Sequence, residues 1–108
     1  MTTSSETPVL DTLAAMTLDS IERCGLPESD LILTRIAALV AMDASEVSYA
    51  AHLGAAAQSG LAASQVQDVL VAIAPIVGTA RVMSAATRMA DALGVAIAVA
   101  ETDTELGT

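Results

Sequence analysis

Residues 45–60 read SEVSYAAHLGAAAQSG, and this stretch decides how the rest of the sequence is interpreted. It is rich in alanine, contains the only histidine, His52, and closes on a glycine, so it predicts one short helix that is capped by Asp43 or Ser45 and stops at Gly60. Ser48 and His52 follow Ser45 by three and seven residues. At about 100° per residue the three side chains fall within roughly 60° of one another. The stretch therefore predicts a helix with two hydroxyls and an imidazole on one face.

The helical period continues on both sides of this stretch, and no segment shows sustained alternation of the kind that predicts a strand. We therefore predict an all-α chain of five or six helices with short connections. Residues 1–6 and 102–108 are expected to be disordered tails around a single domain over residues 7–101. Other helices are predicted to start at Thr7-Pro8, near Ser29, after residues 62–64 and at Thr79, and to stop at Gly25 and Gly94. A kink or break is predicted before Pro75, and a short last helix over residues 95–100.

The composition predicts self-association. Hydrophobic residues make up 54% of the 108 residues, yet the only aromatic residue is Tyr49, so the apolar mass consists of small and aliphatic side chains. A domain of this size leaves much of its surface exposed, and exposed apolar patches mark contact surfaces. We expect a homo-oligomer, a trimer or hexamer, in which copies of the chain cover one another's apolar surface.

The charge balance and the cysteine count exclude several classes of protein. Thirteen acidic residues face four basic ones, for a net charge of −9, so binding to nucleic acid or to an anionic membrane surface is not expected. The single cysteine, Cys24, cannot form an internal disulfide. The N-terminus has no basic region typical of a signal peptide, and apolar runs such as residues 31–42 are too short to span a bilayer. We expect a cytoplasmic protein.

A set of separations along the chain indicates a family. Gly60 follows His52 by eight residues, Asp68 follows Gly60 by eight, and Gly78 follows Asp68 by ten, just before the small residues of a new helix. In these separations residues 33–94 resemble the carboxymuconolactone decarboxylase and alkylhydroperoxidase-D-like family. The resemblance implies an alkylhydroperoxidase-D-like helical bundle.

Peroxidase members of that family also carry the motif C-x-x-C-x-x-x-H, in which one thiol attacks peroxide and the other resolves the sulfenic acid. Here Ser45 and Ser48 occupy the two cysteine positions, giving S-x-x-S-x-x-x-H. A hydroxyl can neither become a sulfenic acid nor form a disulfide, so thiol peroxidase activity is not expected. The glutamate that relays protons in the family also has no match, and Arg35 lies nearest to its position.

Decarboxylase members use no thiol pair, and the resemblance to them implies a different chemistry. Loss of CO₂ needs a cation for the carboxylate, a group that accepts developing negative charge, and a proton donor. His52 could donate the proton, and Arg81 or Arg35 could hold the anion. The sequence departs from these members at Ile76 and Ala80, where an aromatic residue and a proline are usual. These departures weaken the transfer of the family's named substrate.

Both arginines also have a structural interpretation. Arg35 lies in a helix whose apolar residues extend nearly all the way round, so it lies at the rim of the helix packing, pairs with a carboxylate or binds an anionic ligand. Arg81 lies near a helix N-terminus, where the helix dipole does not favour a cation. A salt bridge to Asp68 or Glu46 would explain it, and so would a bound anion.

The polar residues around His52 keep two interpretations each. Ser45 is either a helix cap or a ligand contact, and Ser48 either bonds back to the carbonyl of Ala44 or contacts substrate. Glu46 is either a general base or an acid favoured by the helix dipole. Tyr49 either lines a pocket or fills a gap among alanines. His52 itself either takes part in chemistry or only hydrogen-bonds a backbone carbonyl.

Three functions follow from these residues. The first is a carboxy-lyase acting on a small organic acid or lactone, with His52 and Glu46 as candidate catalytic groups and a small anionic ligand held by arginine. The second is a homo-oligomeric binding or scaffold protein of the same fold that has lost its chemistry. The third is an unrelated helical adaptor. No metal site is predicted, since the chain has one histidine and no acidic pair beside it, and no cofactor is predicted.

Overall fold

Helices form the whole framework of the computed structural model, which describes the backbone of residues 6–107 and the side chains of residues 6–93. No strand occurs in that part of the chain. The prediction of an all-α chain is confirmed, whereas residues 1–5 of the predicted N-terminal tail lie outside the described residues. The five helices are α1 (Pro8–Arg23), α2 (Glu28–Ala41), α3 (Glu46–Gln58), α4 (Ala63–Val77) and α5 (Thr79–Gly107).

Several helix ends form where the sequence signals place them. Helix α1 begins with Pro8 at its first position, where the missing N–H costs no helical hydrogen bond. Ser45 caps α3, and its Oγ accepts a hydrogen bond from the N–H of Ser48 at 3.4 Å. Just past α3, Gly60 adopts a φ of +79°, a left-handed conformation that a residue without Cβ reaches at little cost. The predicted stop at Gly60 is thereby confirmed.

The predicted stop at Gly94 is wrong, and of the kink or break predicted before Pro75 the break does not occur. Helix α4 continues through Pro75 to Val77, so no break precedes the proline. Only the last turn follows Pro75, and Val71, whose carbonyl loses its helical donor, is 72% exposed and open to water. The stop comes instead at Gly78, with a φ of +89°.

Helix α5 likewise runs through Gly94 to Gly107, so residues 95–100 do not form a separate helix. A glycine inside a helix costs about 1 kcal/mol and stops it only where a left-handed cap forms. The acidic tail predicted over residues 102–108 falls among residues whose side chains lie outside the described part.

Helix α2 lies at the centre of the bundle and packs against α3, α4 and α5. Its side chains Ile32, Ile36 and Val40, each one turn after the last, form one buried face. This packing on three sides accounts for apolar residues that extend nearly all the way round α2. The other helices complete the core with Tyr49 and Ala56 of α3, Val66 of α4, and Ala85, Met89 and Ala92 of α5.

Helix α1 stands apart from this core. None of its residues is buried, and it belongs to none of the helix pairs that pack extensively. Large apolar side chains remain between 46% and 70% exposed along its length: Val9, Leu10, Leu13, Met16, Leu18 and Ile21. The described chain therefore leaves a whole amphipathic helix without a buried face. None of the helices in the described residues combines the length and the apolar character that crossing a bilayer requires.

Candidate functional site

His52 lies in α3, one turn after Ser48, and its ring orientation is fixed by its own helix. The Nδ1 atom is 2.8 Å from the carbonyl oxygen of Ser48. A carbonyl oxygen can only accept, so Nδ1 carries the hydrogen and donates it. The other nitrogen, Nε2, has no hydrogen bond to any described residue and can accept a proton or, in the imidazolium, donate one. The backbone hydrogen bond and a chemical role are therefore compatible, because the first sets the tautomer for the second.

The half-buried imidazole of His52 lines a cleft of about 610 Å³ formed by α1, the connection that follows it, α2 and α3. Thr17 of α1, Glu28 and Arg35 of α2 and His52 of α3 provide its polar wall. The rest of the wall is aliphatic, so charged groups on a bound molecule would have few partners. A volume of this order is typical of pockets that hold small molecules.

Arg35 is the cation of this cleft. Its guanidinium donates one long hydrogen bond, 3.4 Å, from Nη2 to the carbonyl oxygen of Thr17. No carboxylate of the described residues forms an ion pair with it. The structural alternative of a paired arginine is therefore not found there. Since a guanidinium carries five N–H donors in a planar fork, most of its capacity to bind a carboxylate is unused.

Glu28 is a cleft residue that the sequence analysis missed. It occupies the first turn of α2, where a negative charge is favoured by the helix dipole, and its Oε1 accepts a hydrogen bond from the Ser59 hydroxyl at 2.9 Å. The two residues are 31 positions apart. No local pattern in the sequence signals that contact, because it arises from the packing of the end of α3 against the start of α2.

Arg81, in contrast, lies away from the cleft. Its Nη1 donates to the carbonyl oxygen of Ala41, the last residue of α2. A cation at a helix C-terminus satisfies a free carbonyl and is favoured by the dipole, which gives Arg81 a structural role. The predicted salt bridge to Asp68 or Glu46 is absent among the described residues.

Ser45, Glu46 and Ser48 also lie outside the cleft, at the start of α3. The two serine hydroxyls are 3.3 Å apart and bond to each other, so Ser48 does not bond back to Ala44 as one alternative predicted. Glu46 is exposed in the first turn, where the helix dipole accounts for it. None of the three lines the cleft beside His52. Ser48 acts on the site only through its carbonyl oxygen.

Tyr49 is a core residue and not a wall of the cleft. It is 1% exposed, and its hydroxyl oxygen is buried without a hydrogen-bond partner in the described residues. Burial raises the pKa of this hydroxyl above its ordinary value, the nearby carboxylate of Asp43 raises the pKa further, and the guanidinium of Arg88 lowers it in part. The alternative in which Tyr49 fills a gap is the one that the structure supports.

Asp43 and Arg88 join α5 to the connection between α2 and α3. Asp43 has a φ of +52°, an uncommon conformation for a residue with a Cβ. Its carboxylate accepts a hydrogen bond from the Ser84 hydroxyl at 2.8 Å and lies 3.6 Å from Nη1 of Arg88. The same Nη1 donates to the carbonyl oxygens of Asp43 and Ala44. This cluster fixes the start of α3, and the sequence analysis did not predict it.

Within residues 6–93, no three side chains of the metal-binding types His, Cys, Asp and Glu come together.

The chain matches none of the curated proteins and none of the solved structures with which it was compared. The sequence model that does match spans residues 7–92 and so covers α1 to α4 entire, both walls of the His52 cleft and most of the buried face of α5. Because that match covers well over half of the sequence, the chain belongs to the carboxymuconolactone decarboxylase family.

Proposed function

We propose that the protein is a carboxy-lyase that acts on a small organic acid bound in the His52 cleft. One observation carries the proposal: Arg35, which has no carboxylate partner among the described residues, lines the same cleft as an imidazole whose Nδ1 is already engaged. The first group can hold an anion and the second can transfer a proton. Membership of a family named for a decarboxylase supports this choice of reaction.

In the proposed reaction, the bond between the ligand's α-carbon and its carboxylate breaks and CO₂ leaves. The electron pair moves onto a carbonyl oxygen of the ligand, giving an enolate. The negative charge lies on the carboxylate before this step and on the enolate oxygen after it. The N–H donors of the Arg35 guanidinium can hydrogen-bond either group, so they stabilise the charge throughout. The α-carbon then takes the Nε2 proton of the His52 imidazolium, which is left as the imidazole protonated at Nδ1 and recovers a proton on Nε2 from solvent.

The aliphatic walls of the cleft contribute to the same step. They displace part of the water around the reacting carboxylate, and electrostatic interactions strengthen as water is displaced. The hydrogen bond from Nδ1 of His52 to the Ser48 carbonyl keeps Nε2 as the nitrogen that exchanges the proton. Removal of the imidazole should therefore slow turnover without removing the anion site.

A 3-oxo acid such as 3-oxohexanoate tests the proposal, because its loss of CO₂ consumes one proton and yields 2-pentanone. We expect CO₂ release above the spontaneous rate. His52→Gln should reduce the turnover number by about 10²- to 10⁴-fold, the usual contribution of a general acid, and Arg35→Met should raise KM. The matched control is Arg23→Met, since Arg23 is exposed at the end of α1 and pairs only with Asp19. Turnover in the His52 variant equal to that of the unmodified protein would refute the mechanism.

A second candidate, a homo-oligomeric binding or scaffold protein, is favoured by one specific observation. Helix α1 exposes six large apolar side chains and buries none of its residues within the chain. Burial of such surface against another copy would stabilise an assembly, at about 25 cal/mol per Å² of apolar area. We expect sedimentation at micromolar concentration to give an oligomer, a trimer or hexamer. A monomer under those conditions would remove the support for this candidate, whereas an oligomer inactive on all 3-oxo acids would favour it over the enzyme.

A further inference from the structure

We propose that the His52 cleft selects an aliphatic monocarboxylate, a molecule with one negative charge on an apolar body without aromatic rings. The inference rests on the proposed function, since it concerns the ligand of that same site. It goes further because it excludes dicarboxylates and polar, hydroxyl-rich acids as ligands. Three properties of the cleft carry it: the number and signs of its charges, the chemistry of its apolar wall, and its size.

The charges of the cleft match one carboxylate and oppose a second. Among the described residues that line it, Arg35 is the only side chain with a permanent positive charge. One carboxylate is enough to occupy the planar face of N–H donors on its guanidinium. Glu28 lines the same cleft with a carboxylate that the Ser59 hydroxyl already holds in place. A second carboxylate on the ligand would find no further guanidinium, would meet only the proton-donating imidazolium of His52 as a positive group, and would be repelled by Glu28. The net charge of −9 on the chain adds to that repulsion at longer range.

The rest of the wall matches a body made of saturated carbon. The chain has no phenylalanine or tryptophan, and its one tyrosine, Tyr49, is buried in the core, so the His52 imidazole is the only ring among the described residues that line the cleft. The carbonyl oxygen of Thr17 is engaged by Arg35, which leaves few groups for ligand hydroxyls. Uncompensated polar groups on a ligand lose hydrogen bonds to water on entering such a site. The apolar wall consists of Ile21, Leu26, Leu31, Ile32, Ala51 and Ala55.

The size of the cleft makes chain length a measurable property of the ligand. A volume of about 610 Å³ accommodates much more than the carboxylate held by Arg35. Each methylene group that the aliphatic wall removes from water should therefore tighten binding, by about fourfold per CH₂. A site that recognised only the carboxylate would not respond to chain length at all.

Calorimetric titration of the full-length protein with unreactive acids tests the inference. We expect affinity to rise by about fourfold per methylene from butanoate through hexanoate to octanoate. Adipate, the dicarboxylate with the same number of carbons as hexanoate, should bind at least tenfold more weakly than hexanoate, on the order of one charge repulsion. Hexanamide, which lacks the charge, should also bind more weakly. Equal affinity of adipate and hexanoate, or no change from butanoate to octanoate, would overturn the inference.

Three variants locate the effect in the cleft. Arg35→Met should abolish hexanoate binding, whereas Arg23→Met, the same change on an exposed residue outside the cleft, should leave it unaltered. Glu28→Gln should tighten adipate binding at least threefold and leave hexanoate binding within about twofold, because it removes only the repelling charge. Hexanoate binding to Arg35→Met as tight as to the unmodified protein would contradict the inference, as would unchanged adipate binding to Glu28→Gln.

Binding at the proposed place can be observed directly. The chain contains one histidine, so the imidazole C–H signals in an NMR spectrum belong to His52 without further assignment. They should shift as hexanoate is added, and hexanoate binding that leaves them unchanged would place the ligand elsewhere and overturn the inference. This test can be told apart from the test of turnover. If the protein binds hexanoate more tightly than adipate but decarboxylates no acid, the proposed function is refuted and the inference is not. Decarboxylation of a dicarboxylic acid without hexanoate binding refutes the inference alone.

Discussion

Replacing Tyr49 with phenylalanine should stabilise the protein. The ring of Tyr49 is 1% exposed in the core, and its hydroxyl oxygen is buried with no hydrogen-bond partner in the described residues. An unsatisfied buried polar group costs about 1–3 kcal/mol, and phenylalanine removes that group while keeping the ring that fills the space. We expect a gain of about 1 kcal/mol in the free energy of unfolding, the lower end of that range.

Urea denaturation at pH 7, followed by far-ultraviolet circular dichroism, measures this gain. Circular dichroism is the suitable probe because the chain has no tryptophan and the variant loses its only tyrosine. In thermal unfolding, a gain of 1 kcal/mol corresponds to an increase in Tm of about 4–8 °C for a domain of this size. A loss of 1 kcal/mol or more would refute the reasoning, because it would mean that the hydroxyl makes a stabilising hydrogen bond in solution.

The same variant should change the response to alkaline pH. Burial and the carboxylate of Asp43 raise the pKa of the Tyr49 hydroxyl in the folded protein above the value of about 10 in an unfolded chain. Below pH 10 both states keep the proton and stability is complete. As the pH rises from 10 through the folded pKa, the unfolded state releases its proton first, and stability falls. The chain has no lysine, so few other groups titrate in this range, and Tyr49→Phe should remove much of the fall.

Three further predictions test the fold and the expected absence of thiol peroxidase activity. Ile36→Ala should lower the free energy of unfolding in urea by about 2–5 kcal/mol, because Ile36 is fully buried. Ile76→Ala, at an 86% exposed position, should change it by no more than about 0.5 kcal/mol. Equal losses of stability would contradict the described core. Gly60→Ala should destabilise the protein by about 1 kcal/mol, since a φ of +79° strains any residue with a Cβ. Gly54→Ala, inside α3 where an added Cβ meets nothing within 4 Å, should stabilise it by about 0.5–1 kcal/mol. The opposite order of stabilities would refute the assigned backbone conformations. Organic peroxide should not be turned over with a dithiol reductant, because Cys24 is the only thiol, and sustained peroxide consumption in a coupled assay would show otherwise.

The sequence predicted the helices and the position of His52 because those features depend on local signals. Apolar residues recurring every three or four positions, a serine cap at Ser45 and a left-handed glycine at Gly60 act over one or two turns. The two helix ends that do not form have the same origin, since Pro75 and Gly94 carry local stop signals that the surrounding helix overrides. Helix propensity is a weak preference that context can reverse.

The composition of the cleft could not be predicted in the same way. Arg35 and Arg81 were both candidates to accompany His52, because both lie on predicted helices that flank α3 in sequence. The choice between them depends on how α1, α2 and α3 pack, and the cap that Arg81 forms on Ala41 joins residues 40 positions apart. Glu28 enters the cleft for the same reason. One sequence contains no direct record of such contacts.

Helix α1 has a consequence for how the protein opens. Segments with few buried contacts unfold locally at a small fraction of the global free energy, and their backbone amides exchange with solvent first. Every described side chain of α1 is exposed, whereas the α2 amides around Ile36 are surrounded by the core. The amides of α1 should therefore exchange long before those of α2. Because Thr17 and Ile21 of α1 form one side of the cleft, a molecule seated there would slow that exchange, and the ligand would help to hold in place the wall that encloses it.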